Sequence, residues 1–305
     1  MKKLIALLIT LAGFVSAVTA EPLKPEKINE TVFALIGEIG GRTYENQGLN
    51  ANYGVIVTND GVILIDSGAS KQGAALIDKQ VQNLTGKKVK WVINTGSQDH
   101  RWLGNEYFIS QGAEVIALNK TVTTQKQLTS TQLDSVKAVL KDRFNGTKPA
   151  YAQKPINQNN AELNLGGTKV QIKYLNHAHF EGDVVIYLPE QNIMFSGDHI
   201  YVDRLLGVLP QSNATTWLDA FTKIESINPK VIVPGHGSVC NLPKAKNQTG
   251  DYLKFLVDGA KKYAEDMAGV ENAVKGLTSA PQFEKLANFN ELHRGDRKST
   301  RLNSS

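Results

Sequence analysis

The chain has 305 residues, a formal net charge of +5, six histidines and one cysteine. Lys2 and Lys3 supply two of those charges and residues 296–305 a net two more, so the body between carries +1 and offers no basic surface for nucleic acid. Cys240 alone excludes an internal disulfide, which leaves a core drawn from the 41% apolar residues, or a metal, to hold the fold.

The first residues, MKKLIALLITLAGFVSAVTAEPL, place two lysines before an apolar run from Leu4 to Val15 and small residues at Val18 and Ala20. The run is shorter than the ~20 residues a spanning helix needs, so residues 1–20 read as a secretory signal peptide cleaved after Ala20. The expected location is bacterial periplasm or outside the cell, with no membrane contact after cleavage. Residues 296–305, DRKSTRLNSS, have no periodicity and translate a widely used sequencing adapter, so they are set aside as an artefact. Residues 21–295 then form one domain, with no linker or internal repeat to divide it.

Val32 to Ile36 and Tyr53 to Val57 are apolar runs of strand length, and Val62 to Ile65 follows the Asn59-Asp60-Gly61 turn as the second arm of a hairpin. Ala74 to Leu84 predicts a helix ended by Gly86, and Val89 to Ile93 a buried strand, giving a parallel βαβ unit. Trp102 to Ser110 reads as helix, Val115 to Leu118 as strand, and Leu133 to Phe144 as an amphipathic helix ended by Asn145-Gly146. From Leu163 through Leu175, across Gly166-Gly167, and again over Val184 to Leu188 and Ile193 to Phe195, the chain is hairpin-rich. A helix from Thr215 to Ile227 and a strand from Val231 to Val233 follow. Leu253, Leu256, Val257, Ala260, Ala264 and Met267 make one apolar stripe at helical spacing. Two mixed halves of this kind predict two packed sheets with helices outside.

Five of the six histidines, at 100, 177, 179, 199 and 236, fall in segments that carry glycine and aspartate at the ends of predicted strands, where a sheet presents ligands. They fall in Asn94-Thr-Gly-Ser-Gln-Asp-His-Arg101, His177-Ala-His-Phe-Glu-Gly-Asp183, Phe195-Ser-Gly-Asp-His199 and Val233-Pro-Gly-His-Gly237. Imidazole with carboxylate suits Zn²⁺ or a similar divalent cation.

Over residues 30–240 these segments, in this order and spacing, resemble the metallo-β-lactamase superfamily. GVIVTNDGVILIDSG resembles its opening hairpin and Asp-Ser-Gly turn, AHFEGDVVIYLPEQNIMFSGD its histidine, hairpin and metal-bridging aspartate, and VIVPGHG its final histidine loop. The resemblance implies an α/β fold, a four-layer αβ/βα sandwich with two mixed sheets, and a metal site on their shared edge. It makes His179, Asp198 and His236 the expected ligands.

The departure lies in NTGSQDHRWLGN, where the family usually reads Asn-Thr-His-x-His-x-Asp-His-x-x-Gly-Asn. Without gaps, Gly96 and Gln98 stand at the two leading histidines, His100 at the aspartate and Arg101 at the last histidine. A second register matches Asp99-His100 to Asp-His at the cost of a gap on each side. In the ungapped reading the family's three-histidine site cannot form, and His100, His179, Asp198 and His236, with Gln98 as a weak ligand, are left for one metal. A full protein quartet is closed, whereas catalysis needs a position open to water.

The implied function is an exported hydrolase acting on an ester, thioester, lactone or amide by metal-activated water, with a small-molecule substrate and one zinc per chain, manganese and iron being the alternatives. Asp99 and His100 are the catalytic candidates. Arg101, His177 and His199 are candidates to line the substrate site, with a salt bridge to Asp99 as the plainer role for Arg101. Asp66 and Asp183 read as carboxylates bracing ligand loops, and Cys240 as a small buried side chain. The competing reading is a metal-free binding or scaffold protein that keeps the sandwich.

Overall fold

The structure is a computed structural model that describes residues 22–302; the expected signal peptide lies outside the described residues. Among the described residues no helix is long and apolar enough to cross a membrane. The chain runs β1 (Lys24–Lys27), β2 (Val32–Ile36), β3 (Tyr53–Val57), β4 (Val62–Ile65), α1 (Lys71–Thr85), β5 (Val89–Ile93), α2 (Asp99–Trp102), α3 (Asn105–Ser110), β6 (Glu114–Ile116) and α4 (Asn119–Leu140) in its first half. The second half holds β7 (Asn160–Leu165), β8 (Thr168–Lys173), β9 (Val185–Leu188), β10 (Ile193–Tyr201), α5 (Ala214–Ile227), β11 (Val231–His236), α6 (Leu242–Ala245), α7 (Asp251–Glu265), α8 (Val270–Gly276) and α9 (Phe289–Leu302).

Among the described residues, six strands form one sheet in the order β1-β2-β3-β4-β5-β6, and five form the other as β11-β10-β9-β8-β7. Each sheet is an antiparallel meander that turns parallel at one side, through β4, β5 and β6 in the first and β10 with β11 in the second. The parallel pairs require crossovers, which α1, then α2 with α3, and finally α5 supply.

Period-two alternation builds the layers. Ile63 and Ile65 of β4, Trp91 and Ile93 of β5, and Ile193 and Phe195 of β10 enter one cluster between the sheets. Their neighbours Val62, Leu64 and Val92 face outward onto α1, and Met194 faces the α5 side. Strands buried on both faces therefore read as continuous Val/Ile/Leu runs. Each such side chain taken from water contributes ~1.5–3 kcal/mol. The sheets approach closely at Gly54, where an added Cβ would lie 2.3 Å from Phe195 Cε1. The four-layer sandwich with helices outside is the architecture expected.

Four elements depart from expectation. The stripe read from Leu253 to Met267 stops short, because α7 ends at Glu265 and Ala264 and Met267 are exposed. The helix read over Trp102 to Ser110 is two short helices, because the chain passes under the Asp66-Ser67-Gly68 turn at Gly104, whose Cβ would fall 2.0 Å from Ser67 O. The helix expected from Leu133 begins at Asn119: its first half buries Thr121, Thr124 and Gln125 in place of an apolar stripe. Strand β10 runs on to Tyr201 through Gly197 and Asp198, with register shifts against β11 on both sides of Gly197. Residues 296–302, set aside as adapter sequence, continue α9, and Asp296 accepts hydrogen bonds from Val208 N–H and the Tyr252 hydroxyl.

Candidate metal centre

The ligand-type side chains converge where strands of both sheets end. Asp198 lies in β10 and His236 closes β11, while His100 sits in α2, the short turn that follows β5. Gly197, at φ +50, permits the bend before Asp198; a Cβ there would lie 2.5 Å from Thr95 Oγ1.

His100, Asp198 and His236 bring one ligand atom each within 4.8 Å of one another, and all three are buried. His100 Nε2 is 3.3 Å from Asp198 Oδ2, and His236 Nε2 is 3.3 Å from Asp198 Oδ1. Two ligands of a tetrahedral cation with bonds of ~2.0–2.1 Å stand about 3.3–3.4 Å apart, so these separations match. The His100 and His236 rings meet edge to face at 5.3 Å, and Tyr201 stacks on His236 at 4.8 Å.

Tautomers strengthen the match. A carbonyl oxygen only accepts, so the 2.8 Å contact of His236 Nδ1 with Asn50 O puts the proton on Nδ1. Burial pushes the His236 pKa down to about 3, so the ring is neutral and Nε2 presents a lone pair to a carboxylate oxygen. Two acceptors facing each other at that distance call for a cation between them. Both nitrogens of His100 and Nδ1 of His179 are buried without a hydrogen-bond partner, a further mark of a donor set made for a metal. The residues present fit a divalent cation.

Arg101 is where sequence reading and structure part. It is 1% exposed. Its Nε and Nη2 grip Asp198 at 3.0 and 2.6 Å, Nη1 reaches Asp66 at 3.0 Å and Asn52 O at 3.2 Å, and Nη2 reaches Gly235 O at 3.2 Å. All five donors of the guanidinium are spent, leaving none for a substrate. Its partners are Asp198 and Asp66 instead of Asp99; Asp99 pairs with Arg42 at 2.6 Å. The Arg101 charge and the nearby histidines hold Asp198 well below the usual carboxylate range against the opposing effect of burial. The Tyr201 hydroxyl donates to Asp198 Oδ1 at 2.9 Å.

Two further carboxylates brace the loops. Asp66, at φ +65, accepts from Thr95 N and Oγ1, each at 2.7 Å; burial raises its pKa while Arg101 opposes the rise. Asp183 accepts from Phe180 N at 2.7 Å and from Ser97 N at 3.4 Å, and burial raises it well above its ordinary value. A Cβ on Gly96 would lie 2.6 Å from Asp183 Oδ1, so the place of the first absent histidine is filled by this carboxylate.

The remaining candidates are spread around the centre. His179 stands beside the three-residue set and outside it, edge to face with Trp217 at 5.5 Å and Phe180 at 4.7 Å; burial lowers its pKa to about 4. Gln98 precedes α2 and lines a neighbouring pocket of about 380 Å³ together with Arg42, Asp99, Phe180 and residues of α4. His199 turns Nδ1 to Ser196 O at 3.1 Å and is buried away from that pocket's lining, with its pKa lowered to about 4 by burial. His177 contacts Gln211 O at 2.8 Å and Glu181 at 3.4 Å near the surface. Arg42 and Tyr201, which sequence reasoning did not single out, both touch the site carboxylates. Only the position of Tyr201 three residues after Asp198 in the sequence hinted at either.

Two mixed sheets flanked by helices, with imidazoles and a carboxylate at their common edge, define the metallo-β-lactamase fold. The chain belongs to the metallo-β-lactamase superfamily, whose family model matches residues 46–236. It is 27% identical over 220 residues to a metallo-β-lactamase type 2 of Elizabethkingia meningoseptica, covering 70% of this chain and 78% of that protein. It is 27% identical over 219 residues to metallo-β-lactamase IND-1 of Chryseobacterium indologenes, covering 70% and 80%. Among solved structures, a metallo-β-lactamase from Pontibacter korlensis superposes with a TM-score of 0.61 at 20% identity, covering 76% of this chain and 99% of that one. The DIM-1 metallo-β-lactamase does so with 0.59 at 18% identity, covering 76% and 97%.

Proposed function

We propose that the chain is an exported, metal-dependent hydrolase with one metal per chain, held by His100, Asp198 and His236 and flanked by His179. The observation that carries this reading is the pair of imidazole Nε2 atoms, each 3.3 Å from a different oxygen of Asp198, with no proton available on His236 Nε2 to bridge the gap. Zinc suits two imidazoles and a carboxylate; manganese and iron are compatible with the same donors. A bound divalent cation supplies Lewis acidity and lowers the pKa of water from 15.7 to about 7.

The chain's own residues do the rest. Arg101 and Tyr201 fix the orientation of Asp198, Asn50 O fixes the His236 tautomer, and Asp66 and Asp183 hold the loops that carry them. Three protein ligands leave a fourth position for water or substrate, the pattern of a catalytic site. The pocket walled by Gln98, Asp99, Phe180 and Leu209 is the place for a small substrate with an ester, thioester, lactone or amide bond. A β-lactam is one such amide, and the curated relatives reported above carry that name. Export to the periplasm or medium rests on the N-terminal pattern of residues 1–20.

A second reading, a metal-free binding protein, draws on Arg101, which already sets a fixed positive charge against Asp198. The two separate in one experiment. The full chain is assayed on p-nitrophenyl acetate, an acyl thioester, a lactone and a chromogenic cephalosporin, before and after dialysis against chelator and after zinc is restored. Hydrolysis of at least one substrate, lost with the chelator and regained with zinc, is expected. No turnover on any substrate under all three conditions supports the binding protein.

A further inference from the structure

We propose that Asp99 is a positioning residue for the ligand His100, and that Arg42, on the loop between β2 and β3, holds Asp99 in place. The inference deepens the metal reading given above and rests on it.

An unbroken line of polar atoms crosses the wall of the pocket. Arg42 Nη1 donates to Asp99 Oδ2 at 2.6 Å; the other oxygen, Oδ1, lies 3.4 Å from His100 Nδ1; and His100 Nε2 lies 3.3 Å from Asp198 Oδ2. Asp99 Oδ1 and both His100 nitrogens are buried and none has a hydrogen-bond partner, so nothing competes for them. Asp99 therefore faces the one nitrogen of His100 that points away from the centre. A carboxylate there draws the ring proton to Nδ1, leaves the Nε2 lone pair for the metal and makes it more basic. Asn50 O does the same for His236, so both imidazoles are braced from behind.

The arrangement answers a problem peculiar to this chain. A carboxylate ligand needs no tautomer control, whereas the histidine at position 100 does, and the residue just before it supplies the acceptor. Arg42, only 16% exposed at its side chain, keeps Asp99 aimed. Arg42 and Asp99 also line the pocket, so the loop that would meet a substrate and the ligand that would hold the metal share one ion pair.

Co²⁺ is the probe, because its visible spectrum reports the ligand field and its affinity is measured by competition with a chromophoric chelator. The parent chain, Asp99→Ala, Asp99→Asn and the pocket control Ser135→Ala are titrated, with circular dichroism to confirm folding. Asp99→Ala is expected to weaken Co²⁺ binding by ~10–100-fold and to shift the visible bands. Asp99→Asn, which keeps the size and an acceptor oxygen, falls between, and Ser135→Ala matches the parent. If the alanine variant misfolds, the asparagine variant carries the test. Asp99 variants that bind within threefold of the parent, with the same spectrum, overturn the positioning role while leaving the metal reading intact. A parent chain that binds no Co²⁺ overturns both. Arg42→Met is expected to change affinity at least threefold in the parent and not at all beside Asp99→Ala; an equal change in both backgrounds removes Arg42 from the proposal.

Discussion

Replacing Arg101 by methionine keeps most of the side-chain volume and removes the charge that lies between Asp66 and Asp198. Arg101 is 1% exposed and spends five donors on two carboxylates and two carbonyl oxygens. Breaking a buried ion pair by removing one partner costs ~3–5 kcal/mol, because a charge is left uncompensated. Here one cation serves two carboxylates, which puts the loss at about 4–5 kcal/mol. At ~2 °C per kcal/mol for a domain of this size, Tm falls by about 10 °C. The measurement is urea unfolding of parent and variant in chelator, so that a metal does not stand in for the guanidinium. The pH dependence has a definite sign. Without Arg101, burial raises the folded pKa of Asp66 and Asp198 above the unfolded value near 3.9. Such groups are protonated and harmless at low pH, and the penalty grows as pH rises from about 4 through the folded pKa. The deficit should therefore be larger at pH 8 than at pH 5. A loss under ~1 kcal/mol, or one independent of pH, refutes the role given to Arg101.

Gly96→His should not restore a second metal, because its Cβ falls 2.6 Å from Asp183 Oδ1; a loss of ~1–3 kcal/mol and unchanged metal content are expected, and two metals per chain at unchanged Tm would contradict this. Tyr201→Phe removes a donor to a buried carboxylate and should cost ~1.5–3 kcal/mol in urea unfolding; a loss below ~0.5 kcal/mol would mean that the hydroxyl contributes little. The chelator-treated chain should lose stability as pH falls below ~6.5. Burial holds His179 and His199 to about 4 and His236 to about 3, so the folded state refuses protons that the unfolded chain accepts. The slope is roughly 1.4 kcal/mol per pH unit for each such histidine, and a urea midpoint flat between pH 7 and 5 would count against buried neutral rings.

Much of the fold was legible because its strands are buried on both faces. Runs such as Tyr53–Val57, Val62–Ile65 and Val89–Ile93 declare themselves by composition alone. The first half of α4 did not, because Thr121, Thr124, Gln125 and Gln132 are buried for their hydrogen bonds: Gln125 reaches Gly96 O and Gln132 reaches Ser97 O, which props the loop before α2. A hydrophobic pattern carries no trace of that. At the site, the convergence of His100, Asp198 and His236 could be expected because each sits in a short motif near a strand end. What escaped was long-range: that Arg101 would turn inward to Asp66 and Asp198, and that Arg42, 57 residues before Asp99, would be its partner. Residue types give no direction to a side chain; only the packed loops do.

On the proposed reading, Gly96 and Gln98 stand where a second metal position is lost, while His100, Asp198 and His236 keep one. Elemental analysis of the chain purified without added metal, beside His236→Ala, puts that claim to the test. About one equivalent of zinc, manganese or iron in the parent, falling below about 0.2 in the variant, is the predicted result. Metal absent from the parent, or present equally in both, would contradict it.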